Sequence, residues 1–129
     1  LNGGSMRIGE LCKRAGVSHD TVRYYERMGL LDKATRPHAT NTYKHYSERS
    51  LQRIRLIIHA KALGFTLTEI GDVIHVWDSP TFGVAQKVAC LQAKLTEIDE
   101  KSRALVMLRA GLLNALAKVG SDCVEGHIA

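Results

Sequence analysis

The sequence of 129 residues has only three cysteines, and it has no uninterrupted apolar run near the ~20 residues that a membrane-spanning helix needs. Three cysteines in distant segments argue against a disulfide framework and favour a reducing compartment. No secretory signal, phosphate-binding glycine loop or nucleophile–base motif is recognisable. These absences predict a cytoplasmic protein that neither inserts in a membrane nor acts as an enzyme.

Positive charge is concentrated in the N-terminal half of the chain. Residues 1–65 contain 12 Lys/Arg and 5 Asp/Glu, a net charge of +7, whereas residues 66–129 contain 6 and 8, a net charge of −2. Solvated surface side chains would also give a basic composition. A polyanionic partner better explains the asymmetry, because Lys and Arg that neutralise phosphates release counterions. The charge distribution therefore favours a nucleic-acid partner for the first half.

Two short amphipathic helices are predicted between residues 8 and 31. The apolar positions of the first helix share one stripe: Ile8, Leu11, Cys12 and Ala15. Gly16 can end this helix, and Ser18 is a suitable N-cap for the second. Val22 and Tyr25 can then face inward while the outer face stays polar and basic. This pattern is typical of a helix-turn-helix, although any two amphipathic helices joined by a glycine would resemble it.

A small β-ribbon, or wing, is predicted between Leu31 and Tyr46. Strand-forming segments flank the turn-prone Ala39-Thr40-Asn41, and their Lys and Tyr side chains would be available to phosphates and sugars. The ribbon strengthens the helix-turn-helix interpretation, because it supplies a second DNA-contacting element beside the helix pair.

Two further helices are predicted after the wing. Ser47 would cap a helix that runs to about Leu63, and Thr66-x-x-Glu69 is a capping-box pattern that opens a short helix to about Val76. The predicted buried side of the longer helix consists of Leu51, Ile54, Ile58 and Ala62.

One long helix is predicted over residues 82–119, which contain no proline and only two glycines, Gly83 and Gly111. Its apolar residues repeat with coiled-coil spacing: Val84, Val88, Leu91, Leu95, Ile98, Leu105, Leu108, Leu112 and Leu116. A lone helix of this length cannot bury its own seam. Folding back on its own domain would leave most of it uncovered, so we predict a homodimer.

The chain resembles the MerR family of transcriptional regulators from Met6 onward. The motifs that carry the resemblance are Ile8-Gly9-Glu10-Leu11, Gly16-Val17-Ser18, Thr21-Val22-Arg23-Tyr24-Tyr25-Glu26, Gly29-Leu30-Leu31, Asn41-Thr42-Tyr43-Lys44-His45-Tyr46 and Leu63-Gly64-Phe65-Thr66-Leu67-Thr68-Glu69-Ile70. The wing departs from the family's usual Asn-Gly-Tyr-Arg, since Lys44 replaces the arginine and offers a phosphate a point charge without a bidentate fork.

The resemblance implies a mostly α fold, in which a winged helix-turn-helix DNA-binding domain precedes a long dimerisation helix in an antiparallel coiled coil. The predicted organisation has five segments: residues 1–5 as an expression remnant without fold information, 6–76 as the DNA-binding domain, 77–81 as a linker, 82–119 as the dimerisation helix and 120–129 as a C-terminal loop.

The implied function is that of a dimeric regulator of transcription. Such a dimer binds double-stranded DNA at a palindromic promoter, distorts it in response to an effector, and acts on RNA polymerase through the promoter complex. The side chains predicted to contact DNA are His19, Thr21, Arg23, Tyr24, Tyr25, Arg36, Tyr43, Lys44 and Lys61. Two of them have alternatives, because Tyr25 can belong to the core and Lys61 can be free in solvent.

The effector is not evident from the sequence. Metal-sensing members of the family use thiolates near the ends of the long helix, and alignment places Val84 and Val119 at two of those positions, where valine offers no donor atom. Cys123-x-x-x-His127 still offers a thiolate and an imidazole. A metal or thiol sensor that uses Cys123 and His127 is therefore one alternative function, and an effector-independent DNA-binding protein is another. A tail without any ligand is the competing interpretation of Cys123 and His127.

Overall fold

The computed structural model describes residues 5–35 and 44–124, with side chains as far as Ser121. The chain divides into two compact units, of which the first ends at Gly83 and the second begins at Val84. The elements in chain order are β1 (Ser5–Met6), α1 (Ile8–Ala15), α2 (His19–Arg27), β2 (Tyr46–Ser47), α3 (Glu48–Ala62), α4 (Leu67–Val73) and α5 (Val84–Val124). The fold is mostly helical, as predicted.

Helix α1 ends and helix α2 begins where the local signals predict. Gly16 ends α1 in the left-handed conformation, with φ of 74°, and its N–H donates to the carbonyl of Cys12. Ser18 caps α2, since its Oγ accepts a hydrogen bond from the backbone N–H of Thr21 at 3.1 Å. Asp20 adds a negative charge in the first turn, where the helix dipole favours it.

The core of the first unit lies where α1, α2, α3 and α4 meet. Its apolar side chains with at most 2% exposure are Leu11, Val22, Leu30, Tyr46, Leu51, Ile54, Ile57 and Ile74. One prediction for α3 is wrong, because Ile58 is 39% exposed and Ala62 is also exposed, whereas Ile57 is fully buried. Since α3 packs against α1, α4 and β2, contacts between elements turn its buried side away from the stripe that the sequence suggested.

Strand β1 corrects the expectation that residues 1–5 carry no fold information. Ser5 pairs with Ser47 and Met6 with Tyr46 in an antiparallel two-stranded sheet. The Oγ of Ser5 also lies 3.2 Å from Nδ1 of His45. The segment before α1 therefore supplies the backbone partners of β2, which would otherwise present unpaired N–H and C=O groups.

The base of the predicted wing is present as an antiparallel bridge between Thr35 and His45. Two backbone hydrogen bonds form it, from Thr35 N to His45 O at 2.9 Å and from His45 N to Thr35 O at 2.7 Å. The predicted tip of the wing, including Arg36 and Tyr43, falls outside the described residues.

Helix α4 opens on the predicted capping box. Thr66 Oγ1 accepts from Glu69 N at 3.1 Å, and Glu69 Oε1 accepts from Thr66 N at 2.8 Å. The helix ends at Val73 rather than near Val76. Tighter turns then carry the chain, with bonds three residues apart from Val76 N to Val73 O and from Ser79 N to Val76 O.

Helix α5 has 41 residues and is about 60 Å long at 1.5 Å per residue. It starts at Val84, two residues after the predicted start, and it continues to Val124, so the predicted C-terminal loop is wrong for residues 120–124. Gly120, Ser121 and Asp122 are weak helix formers but do not block the helical hydrogen bonds as proline would.

By length and composition alone, one helix in the described part of the chain could cross a membrane. The span is Val84–Ser121, with a mean hydropathy of 1.3 in its most apolar window and none of that window buried within the chain. The span contains no uninterrupted apolar run of that length, because charged residues such as Arg109 and Lys118 interrupt it. The same uncovered apolar surface also suits a partner helix, since both environments remove apolar side chains from water.

Candidate nucleic-acid interface

Helix α2 presents a polar and basic face to solvent. Val22 is fully buried and anchors the opposite side of the helix in the core. His19, Arg23 and Tyr24 therefore point outward, and Tyr24 is 44% exposed. The structure brings these three predicted DNA-contacting residues together on one accessible face of the second helix of the pair, the helix that enters the major groove in helix-turn-helix proteins.

Within the described part of the chain, the two arginines of this face make weak contacts. Arg23 Nη1 lies 3.6 Å from Asp20 Oδ1, and the arginine side chain is 53% exposed. The guanidinium of Arg27 lies 5.8 Å from the ring centroid of Tyr24. Exposed ion pairs stabilise a protein by well under about 1 kcal/mol, so Arg23 can exchange Asp20 for a phosphate at little cost.

Thr21 lies at the N-terminus of α2, within the cap that starts the helix. Its backbone N–H donates to Ser18 Oγ, and its own Oγ1 lies 3.0 Å from that same oxygen. Thr21 is half-buried, whereas the neighbouring His19 is exposed. Residues near the N-terminus of a recognition helix contact base edges in helix-turn-helix proteins. His19 and Thr21 both lie at this position of α2.

Tyr25 belongs to the core, which corrects its inclusion among the DNA-contacting side chains. Only 5% of the residue is exposed, and its ring centroid lies 6.3 Å from that of Tyr24. Its burial matches the alternative role that the sequence left open, since Val22 and Tyr25 are three positions apart on one side of α2.

Glu26 joins α2 to the base of the wing. Its Oε1 accepts a hydrogen bond from Tyr46 Oη at 3.0 Å, and its Oε2 accepts one from the backbone N–H of Ala34 at 3.2 Å. Lys44 Nζ lies 3.9 Å from the same Oε1. The sequence analysis missed this role, because the partners of Glu26 are 8 to 20 residues away in the chain.

The Glu26 carboxylate helps to raise the pKa of Tyr46. Burial, the hydrogen bond to Glu26 and the negative charge of Glu26 together raise the pKa of Tyr46 to about 12. The phenol therefore stays protonated in the folded protein and donates to the carboxylate.

The remaining predicted contacts are two lysines, both exposed. The side chain of Lys44 is 44% exposed beside the wing base. Lys61 lies in the last turn of α3, where a cation also suits the helix dipole. Their accessibility is compatible with phosphate contacts, although the solvated alternative for Lys61 fits its exposure equally well.

A buried arginine holds the turn that follows α2. Arg53 is 4% exposed, and its Nη1 lies 3.4 Å from Nδ1 of His75. His75 Nε2 lies 2.8 Å from the carbonyl oxygen of Gly29. Because a carbonyl can only accept, Nε2 carries the proton and donates to Gly29, which leaves Nδ1 to accept from Arg53. The C-terminal end of α2 is thus tied to α3 and to the segment after α4.

The surface of α5 is apolar over much of its length. Its exposed large apolar residues are Val84, Val88, Leu91, Leu95, Ile98, Leu105, Val106, Met107, Leu108, Leu112, Leu113, Leu116 and Val119, with exposures from 42% to 78%. Glu97 bridges Lys94 and Lys101 at 3.0 and 2.8 Å, and its hydrogen bonds to Lys101 and Lys94 lower its pKa.

The described residues do not fit a metal site. Among them, no group of three or more His, Cys, Asp or Glu side chains lies close enough to hold a metal ion. Cys12 is buried, and desolvation raises the pKa of its thiol, which disfavours the thiolate that a metal needs. Cys123 lies in the last turn of α5, but its side chain and all of His127 fall outside the described part.

Two family models match the chain. One, described as MerR HTH family regulatory protein, matches residues 6–76, and the other, described as MerR, DNA binding, matches residues 51–115. The first covers the helix pair, the wing and α4. The second begins within α3 and ends at residue 115, within α5, so the two matches together reach every helix of the structure.

Curated relatives and a solved structure agree with these models. The chain is 34% identical to the HTH-type transcriptional regulator HmrR of Rhizobium leguminosarum bv. viciae over 108 residues, 83% of this chain and 81% of the relative. It is 33% identical to the mercuric resistance operon regulatory protein of Bacillus cereus over 110 residues, covering 80% and 82% of the two chains.

The structure is similar to that of the transcription regulator PbrR691 from Ralstonia metallidurans CH34, which was solved in complex with lead(II). The TM-score is 0.74 at 34% identity, with 84% of this chain and 83% of the other covered. The proteins named here are regulators of transcription. The chain belongs to the MerR family of helix-turn-helix transcriptional regulators.

Proposed function

We propose that this protein is a homodimeric regulator that binds a palindromic promoter site and distorts the DNA in response to an effector. The observation that carries the proposal is the outward face of α2, where His19, Arg23 and Tyr24 are exposed while Val22 anchors the helix. This face presents cationic and hydrogen-bonding groups at the width of one helix, as the major groove requires.

The uncovered apolar surface of α5 supports the homodimer. Residues such as Leu95 and Leu112, which are 58% and 68% exposed, would lose this contact with water against a second copy of the helix. Two copies related by a two-fold axis would place two α2 helices in successive major grooves, which is why the DNA site should be palindromic. By family resemblance the two α5 helices run antiparallel, and the dimer works in the cytoplasm with RNA polymerase at the promoter.

The proposed response to an effector is a shift between two conformations of the dimer on DNA. An effector can drive distortion only if it binds the distorting conformation more tightly than the other. The hydrogen bonds from Arg53 to His75 and from His75 to Gly29 support such a shift. They connect α3 and the segment that follows α4 with the end of α2, so a movement of one can be transmitted to the other.

Salt-dependent binding to promoter DNA tests this function. The full chain should bind a labelled duplex from the promoter upstream of its own gene, with an affinity that falls steeply and log-linearly with salt because phosphates release counterions. A duplex of scrambled sequence is the control. Equal affinity for both duplexes, or no binding at low salt, would contradict the proposal.

A metal or thiol effector is the second candidate. One relative regulates a mercuric resistance operon, and a similar structure was solved with lead(II). The support within this chain is limited to Cys123 and His127, since Val84 and Val119 offer no donor atoms and are 78% and 60% exposed.

Metal titration of the reduced protein tests this candidate. Hg(II), Zn(II) and Pb(II) are added in turn, and stoichiometry is measured by elemental analysis after desalting. The candidate predicts binding that Cys123→Ser abolishes and Cys90→Ser leaves unchanged. Wild-type stoichiometry in Cys123→Ser would contradict it, as would an absence of binding by the native chain.

A further inference from the structure

We propose that Glu26 is a positioning residue, which sets the placement of the wing base, with Lys44, relative to α2 and thereby strengthens DNA binding. The inference rests on the proposed DNA-binding function and names a residue that its DNA-contacting surface does not include. Glu26 carries a negative charge in a region that must approach phosphates, so its presence there needs a structural reason.

The geometry supplies that reason. A single carboxylate on α2 contacts both sides of the wing base, because Ala34 precedes the bridge residue Thr35 while Lys44 and Tyr46 flank the bridge residue His45. One oxygen accepts from Ala34 N and the other from Tyr46 Oη, at 3.2 and 3.0 Å. The carboxylate therefore fixes both strands of the wing base to the same point of α2.

The burial of the Glu26 side chain supports a structural role for its contacts with the wing base. Its side chain is 15% exposed, far less than the carboxylates of Glu10 and Glu48 on the same domain, at 60% and 39%. A carboxylate withdrawn from water is costly unless donors replace its hydration, and the two hydrogen bonds and the ammonium of Lys44 do so.

Lys44 connects this contact to DNA. Its Nζ lies 3.9 Å from Glu26 Oε1, and its side chain remains 44% exposed. Glu26 thus holds a candidate phosphate-binding ammonium beside α2 without removing it from solvent. Loss of the carboxylate would release both the strand and this ammonium.

Electrostatics alone predicts the opposite outcome. Removing a carboxylate from a DNA-binding surface reduces repulsion of phosphates, so binding should tighten if Glu26 had no positioning role. The sign of the affinity change in a Glu→Gln variant therefore distinguishes the two explanations.

The test compares Glu26→Gln with Glu10→Gln in the full-length protein. Both variants lose one negative charge, but Glu10 is exposed on α1, and within the described part of the chain it forms an ion pair with Arg14 at 3.9 Å. On the labelled promoter duplex, Glu26→Gln should bind about tenfold more weakly, the loss expected for a charge-assisted hydrogen bond that positions a DNA contact. Its log–log salt dependence should be shallower by about one phosphate contact. Glu10→Gln should bind as tightly as wild type or slightly more tightly.

A second variant keeps the test decisive if Glu26→Gln does not fold. Tyr46→Phe removes only the phenol hydroxyl, and we expect binding about threefold weaker with the salt dependence of wild type, because Glu26 still holds Lys44. Binding of both folded variants at or above the affinity of wild type would overturn the proposal, and so would wild-type binding by Tyr46→Phe alone. If the wild-type protein itself fails to distinguish promoter from scrambled DNA, the proposed function fails instead.

Discussion

At the residue scale, the outward arginine of α2 should contribute directly to DNA affinity. We expect Arg23→Ala to weaken promoter binding by about tenfold, because it removes a charge-assisted contact to DNA. Arg103→Ala, which removes the same charge from α5, is the matched control and should change affinity less than about twofold. Fluorescence anisotropy at fixed salt measures both, and equal losses would show that only net charge matters.

Tyr46 gives a residue-scale prediction about pH. Its pKa is raised to about 12 in the folded protein, above the ordinary value of 10.0, so the protonated phenol stabilises the fold. This contribution is fully present below pH 10 and is lost as the pH rises toward 12, because the unfolded chain then releases the proton more readily.

The phenolate absorbance of the four tyrosines measures this directly. One transition should occur about two pH units above the ordinary range and should be absent in Tyr46→Phe. Glu26→Gln should lower that transition, since the accepting charge is gone. Four transitions at the ordinary pKa in wild type would contradict the account.

At the scale of elements, local signals decide the ends of short helices. Thr66→Ala removes the hydrogen bond from Glu69 N to the Thr66 hydroxyl in the capping box of α4. We expect it to lower the free energy of unfolding by about 1 kcal/mol. Thr68→Ala, an exposed position inside the same helix, should change it by less than about 0.5 kcal/mol. Urea denaturation at a fixed protein concentration measures both, and an equal effect of the two substitutions would contradict the role of the cap.

The sequence was sufficient for elements whose signals are local. Gly16, Ser18 and the Thr66–Glu69 pair mark helix ends within three residues, so the end of α1, the start of α2 and the start of α4 could be predicted. The outer face of α2 followed from the spacing of Val22 and Tyr25, because helical periodicity alone determines which side is buried.

Features that depend on distant partners could not be predicted. The buried side of α3 is set by neighbouring helices, and β1 exists because Ser5 meets Ser47, 42 residues later. The contacts of Glu26 and His75 likewise join residues 8 to 46 positions apart. The sequence does show that Glu26 is one of few carboxylates in the basic N-terminal half of the chain. Its charge alone, however, does not identify the residues that it contacts.

At the scale of the whole molecule, the apolar seam of α5 should hold two chains together. Leu95→Glu places a charge in the seam and should convert the dimer to monomer, because a buried unpaired carboxylate is costly. Ala93→Glu adds the same charge at an exposed position on the other side of the helix and should leave the dimer intact. Sedimentation equilibrium distinguishes the two, while recovery of wild-type protein in the membrane fraction would favour a bilayer partner for α5.

The central claim is that two copies of α2 contact promoter DNA symmetrically. Hydroxyl-radical footprinting of the promoter upstream of the gene, with the full chain, tests it most directly. The account predicts two protected half-sites related by a two-fold axis and separated by about 10 base pairs or a multiple, with protection in Arg23→Ala requiring about tenfold more protein. A single unsymmetrical protected region, or uniform protection without a defined site, would contradict it.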